Sequence, residues 1–159
     1  MAKSTLIYHL LHFIFDRDNY NEKKNSIKNG TFFNKQFLND LYPNILHLRG
    51  INHKTISIDD IRDLKSLLLK SSIDKKKRFI ILDEIELFNT QSLNGLLRII
   101  EEPNENNHFI LINGKSKPLI ETIKSRCLEI NISLDLPSSK EIVSKLSDQF
   151  EQKIILDYD

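Results

Sequence analysis

Apolar positions along the chain follow two rhythms. Phe79, Ile80, Ile81 and Leu82 form a continuous run, too short for a stable helix, between a basic segment and the acidic pair Asp83-Glu84. Such a run predicts a strand buried on both faces of a parallel sheet. His108–Ile112 (HFILI) predicts a second buried strand, and Leu128–Ile132 (LEINI) a last core strand. Asn44–Arg49 (NILHLR) alternates apolar and polar residues, which predicts a strand toward the sheet edge. Between these segments the period lengthens to that of a helix. Leu93, Leu96, Leu97 and Ile100 fall at i, i+3, i+4 and i+7, after a cap at Asn89 or Thr90 and before a stop at Pro103. Ile58, Ile61, Leu64, Leu68 and Leu69 give another helix the same kind of face, with Ser57 and Asp60 spaced as a capping box. Lys3–Phe15 reads as a helix with Leu6, Ile7, Leu10, Leu11 and Ile14 on its apolar face. A short helix carrying Phe33, Phe37 and Leu41 is expected within the polar stretch 16–44, and another over Leu119–Lys124. Ser138 and Glu141 open a final helix bearing Ile142, Val143, Leu146 and Phe150.

Alternating strands and helices predict an α/β protein with a parallel sheet between helical layers. Its ligand edge is the carboxyl end of the strands. Asp83 and Glu84 stand at that edge, either as two fixed carboxylates that suit a hard cation or as an acidic pair that merely caps a loop. Asn113 ends the next strand in the same way, either as a site residue or as the close of a turn with Gly114.

Composition narrows the options. A chain of 159 residues, 40% hydrophobic and 28% charged, is long enough for one domain with a real core. A net charge of +1 gives no general attraction to nucleic acid, so any DNA contact must be local or belong to an assembly. The basic run Lys75–Arg78 reads as a solvated loop. No apolar run reaches membrane-spanning length, so no membrane partner is expected. The single cysteine, Cys127, excludes an internal disulfide, and the cytoplasm is the expected location. The five histidines lack metal-ligand spacing, and no Ser/His/Asp set can be assembled.

Four apolar residues followed by Asp83-Glu84 resemble a Walker B motif. Ile100-Glu101-Glu102-Pro103 follows on the next helix, then Phe109–Asn113, then Ser125-Arg126-Cys127. In that order and at that spacing they resemble the clamp-loader branch of the AAA+ family, in particular delta-prime-type subunits of bacterial DNA polymerase III. Gamma/tau and replication factor C small subunits are further relatives. Ala2-Lys3-Ser4-Thr5 is similar to the tail of a Walker A loop, with Ala2 in place of its last glycine. Tyr42-Pro43-Asn44 and Ile58–Leu64 stand where the family has a His-Pro-Asp signal and a Val-Asp-x-Ile-Arg-x-Leu segment.

The resemblance implies a three-layer P-loop NTPase-like fold over residues 1–135, truncated at the Walker A end with its first strand missing. Residues 136–159 would begin a helical lid, also cut short. A missing central strand leaves unpaired backbone groups, so either a compromised fold or a substitute strand is expected, and Lys153–Leu156 (KIIL) either fills that place or begins the lid. The family's four-cysteine zinc module has no counterpart here, so no zinc is expected. By position, Lys3 and Ser4 are a Walker A remnant, Asp83 with Ser4 would hold Mg²⁺ beside ATP, and Glu84 would act on the attacking water. Asn113 would be sensor 1. Arg126 would be an arginine finger reaching a neighbour's ATP site.

Two functions follow from the resemblance. The first is a delta-prime-like stator that lends Arg126 to a neighbouring ATPase in sliding-clamp loading. Its partners would be gamma/tau, delta, the clamp and primer-template DNA. The second is an ATP-hydrolysing subunit of gamma or small-subunit type, favoured by the intact Asp-Glu pair and opposed by the missing glycines.

Overall fold

A computed structural model of the chain describes residues 2–49, 56–69, 77–103, 105–114 and 117–132. Helix α1 spans Ala2–Phe15. A small antiparallel hairpin follows, β1 (Tyr20–Asn21) with β2 (Ser26–Ile27), and then α2 (Phe32–Leu38). Strand β3 (Ile45–Arg49), helix α3 (Ile58–Leu69), strand β4 (Arg78–Asp83), helix α4 (Thr90–Glu101) and strand β5 (Asn107–Leu111) alternate along the chain. The short α5 (Glu121–Lys124) is the last element among the described residues. The three longer strands pair in parallel in the order β3-β4-β5. Parallel neighbours need a crossover, and α3 and α4 occupy the two connections.

Strand parity shows which helices cover which face. Successive side chains of a strand point to opposite sides. Ile80 and Leu82 of β4 pack with Ile61, Leu64 and Leu68 of α3, Leu93 and Leu96 of α4 and Ile123 of α5. Phe79 and Ile81 pack on the other face with Leu11 of α1 and Phe33 of α2. The expected layered α/β architecture is therefore present. Every residue of β4 is buried, as a central strand covered on both faces must be. Gly95 lets α3 and α4 approach closely, because a Cβ there would lie 2.9 Å from Ile58 Cδ1.

The helix ends follow the sequence signals. Asn89 caps α4 by accepting from Ser92 N at 2.8 Å. Asp60 accepts from Ser57 N at 2.7 Å while Ser57 Oγ accepts from Asp60 N at 3.3 Å, the reciprocal pair of a capping box.

Several expectations need correction. In α1 the buried residues are Leu11 and His12, with Ile7 and Phe15 packed on the core, whereas Leu6, Leu10 and Ile14 are exposed. Helix α2 stops before Leu41, which is 68% exposed. Asp40 adopts φ +54°, Leu41 N donates to Gln36 O at 2.9 Å and Asp40 N to Phe37 O at 3.1 Å. That is a Schellman ending, which reverses the chain before a further turn can form. Leu69 is exposed at the end of α3. Arg78 is not part of a solvated loop: it opens β4, is buried, and donates from Nη1 to Leu67 O at 3.2 Å.

Residues 128–132 form no strand. A strand exists only with a ladder partner, and among the described residues none pairs with this segment. Leu128 and Ile130 remain 89% and 72% exposed. The chain divides into two units, 1–128 and 129–159, and of the second only 129–132 are described. The lid helix and the KIIL segment lie outside the described residues.

Buried histidines give the fold a pH dependence. His12 Nδ1 faces Tyr8 O at 2.9 Å, so it carries the proton, and Nε2 sits 3.3 Å from Asn34 Nδ2, which donates to it. Burial lowers His12 below the usual histidine range, and burial followed by the charge of Arg49 does the same for His47. The unfolded chain therefore binds protons at a higher pH than the folded one. The associated stability is present above about pH 6.5 and is lost as pH falls below it. Urea midpoints at pH 7.5 and 5.5 are expected to show the lower stability at 5.5, and a His12→Gln variant a smaller difference. Equal midpoints would contradict this.

Candidate functional site

The site grows from the carboxyl edge of the sheet. Asp83 is the last residue of β4 and shares strand parity with Phe79 and Ile81, so its side chain lies on the α1 face. The start of α1 meets it there. Ser4 Oγ donates to Asp83 Oδ2 at 3.4 Å, and Glu84 N donates to Asp83 Oδ1 at 3.0 Å.

Asn113 is fixed at the same edge by backbone ties between the ends of β4 and β5. Ile112 N donates to Leu82 O at 2.8 Å and Ile85 N to Ile112 O at 3.1 Å. Lys3 closes the group by donating from Nζ to Asn113 O at 2.7 Å. Lys3, Ser4, Asp83 and Asn113, separated by up to 110 positions in sequence, thus share one rim. A Cβ at Gly114 would lie 2.6 Å from Glu86 Oε1, so a larger residue there would have to move that carboxylate.

Glu84 holds φ +55° and ψ 46°, the left-handed region that a non-glycine residue occupies at some cost. The chain turns there from β4 into a 3₁₀ turn over Ile85–Leu87, which leaves the Glu84 side chain exposed beside Asp83. Backbone strain of this kind concentrates at working sites.

Sequence reasoning missed His47. It lies on β3 with the parity of Ile45, and its Nε2 is 3.9 Å from Asp83 Oδ2 while its Nδ1 is 3.8 Å from Asp40 Oδ1. Burial keeps it neutral near pH 7, so it borders the carboxylate as a polar neighbour rather than a cation. The alternation of NILHLR placed it on a face, but only the β3-β4 register could put it beside Asp83.

Ser4 Oγ and Asp83 Oδ2 are hard oxygen donors of the kind a magnesium ion takes, and they are the residues of this chain that would hold one. Among the described residues no group of three or more His, Cys, Asp or Glu is placed to hold a metal ion on its own.

Arg126 is elsewhere. Its side chain is 37% exposed and pairs with Glu101, from Nε at 2.6 Å and Nη2 at 2.5 Å to the same oxygen. Glu101 is the last residue of α4, and α4 begins just after the Asp83 edge. Its 12 residues rise about 18 Å, so the guanidinium sits at the far end of the helix from Asp83. Cys127, beside it, packs on the α3–α4 core, and burial raises its thiol pKa.

The family described as DNA polymerase III, delta subunit, matches residues 1–135. The chain belongs to that family. The match places it in the clamp-loader AAA+ group that its motifs resemble. It is 30% identical over 93 residues to the DNA polymerase III subunit delta' of Haemophilus influenzae, covering 58% of this chain and 28% of that protein. It is 27% identical over 109 residues to the gamma subunit of Buchnera aphidicola subsp. Schizaphis graminum, covering 64% of this chain and 30% of the relative. The crystal structure of a gamma subunit-related protein of Thermotoga maritima superposes with a TM-score of 0.56 at 25% identity, over 80% of this chain and 44% of that one. The chain thus spans under a third of the length of these sequence relatives. Among the described residues no helix is long and apolar enough to cross a membrane.

Proposed function

We propose that the chain is a DNA polymerase III clamp-loader subunit of delta-prime type, a cytoplasmic stator that lends Arg126 to the ATP site of a neighbouring gamma/tau subunit. Delta, the sliding clamp and primer-template DNA complete the assembly in this reading. The observation that carries it is the position of Arg126. It is exposed, carries a planar guanidinium, and lies about a helix length from the chain's own Asp83, so it can reach nucleotide only on a second subunit.

The meeting of Ser4, Lys3, Asp83 and Asn113 favours a second reading, an ATP-hydrolysing subunit of gamma type. In that case Lys3 and Ser4 bind the phosphates, Asp83 with Ser4 holds Mg²⁺, Glu84 orients water and Asn113 senses the terminal phosphate. Against it, Lys3 Nζ is engaged by the Asn113 carbonyl, and Ala2 stands where a Walker A loop has its last glycine.

Nucleotide titration separates the two. The chain alone is expected to show negligible binding of ATP with Mg²⁺, and to raise ATP hydrolysis when mixed with its cognate gamma/tau subunit. Micromolar binding by the isolated chain would overturn the stator reading in favour of the second.

A further inference from the structure

We propose that Glu101 parks the Arg126 guanidinium in the free chain and must be exchanged for phosphoryl oxygens when a neighbour's nucleotide arrives. This rests on the reading of Arg126 as a finger acting in trans.

A guanidinium has five N–H donors in a fixed planar fork. Here Nε and Nη2 both turn to Glu101 Oε1, at 2.6 and 2.5 Å. Nη1 donates to Thr122 O at 2.9 Å and to Ser125 Oγ at 3.3 Å. Both two-nitrogen faces of the fork therefore contain donors already spent on the chain itself. Bidentate recognition of a phosphate needs one whole face. The Nη1 side is fixed by backbone and by the adjacent serine, within the turn that carries Arg126. Among the described residues the Nε–Nη2 side is held only by Glu101, on another helix 25 positions away.

That side is the exchangeable one. Both side chains of the pair are partly exposed, at 37% and 42%, so water and salt reach it and the pair is weak enough to give way. A triphosphate carries more charge than one carboxylate and offers several acceptor oxygens. The exchange leaves the Thr122 and Ser125 contacts in place to aim the side chain. A carboxylate that competes with substrate for the same donors weakens apparent binding without touching the reaction itself, so Glu101 is a positioning residue.

The test uses the full chain with its cognate gamma/tau subunit, reading steady-state ATP hydrolysis against ATP concentration. Arg126→Ala first establishes the finger: an unchanged rate would remove both the finger and its parking carboxylate. With the finger established, Glu101→Gln is expected to lower KM for ATP about threefold at low salt with kcat unchanged, the effect of an exposed pair. The gap between variant and wild type should close at about 0.5 M salt, where the pair is screened. An unchanged or raised KM, or a fall in kcat, would overturn the parking role while leaving the finger intact. Glu101→Ala is the second variant. It should act in the same direction, and matched thermal melts establish that both variants are folded.

Discussion

Replacing Arg126 by alanine is expected to lower the partner subunit's ATP hydrolysis by about 10³, with the variant chain as stable as the original. The size follows from what an always-charged planar donor supplies to a transferring phosphoryl group, charge stabilisation that water cannot hold in place. The unchanged stability follows from exposure. Arg126 and Glu101 form a surface pair, and breaking such a pair shifts stability by at most about 1 kcal/mol. Arg126→Lys should restore little, because a point charge does not reproduce the fork. The combination is what discriminates. A rate loss accompanied by an equal loss of stability would mean that Arg126 only fastens α5 to α4. No rate loss at all would return the residue to the ordinary surface and leave the gamma-type reading to be judged on nucleotide binding alone.

How much of this was legible in the sequence depends on how local each cause is. The four-residue run leading into Asp83, the Asn89 cap and the Ser57–Asp60 pair are set by neighbours within a turn or a strand, and each appears where the pattern put it. The shared rim of Asp83 and Asn113 was legible too, because parallel strands joined by helices bring all their carboxyl ends to one edge. The face of α1 was not. STLIYHLLHFIF is apolar nearly all round, so its period carries no phase, and the aromatic cluster of Tyr8, His12, Phe33 and Phe37 selects the side. Leu128–Ile132 has the alternation of a strand, but alternation cannot supply a partner. The β1–β2 hairpin is too short and polar to leave a signal. Glu101 as the partner of Arg126, and the left-handed backbone at Glu84, are consequences of tertiary placement that no spacing encodes.

Leu82→Ala and Leu6→Ala remove the same atoms and are expected to differ severalfold in cost. Leu82 is fully buried in the central strand, with covalent neighbours Ile81 and Asp83 committed to the opposite face. Its truncation leaves a cavity among α3, α4 and α5 that the sheet cannot close, at about 3–5 kcal/mol. For a chain of this size that corresponds to a melting temperature lower by about 10 °C. Leu6 is 49% exposed on the outer side of α1, and its truncation should cost under about 1 kcal/mol. The comparison tests function as well as packing. Asp83 follows Leu82 directly, and α4, which spaces Arg126 from Asp83, packs on the same cluster. Urea denaturation of both variants measures the pair. Equal losses would mean that α1 buries its Leu6 side, and Ser4 would then be turned away from Asp83, taking with it the rim on which the gamma-type reading depends.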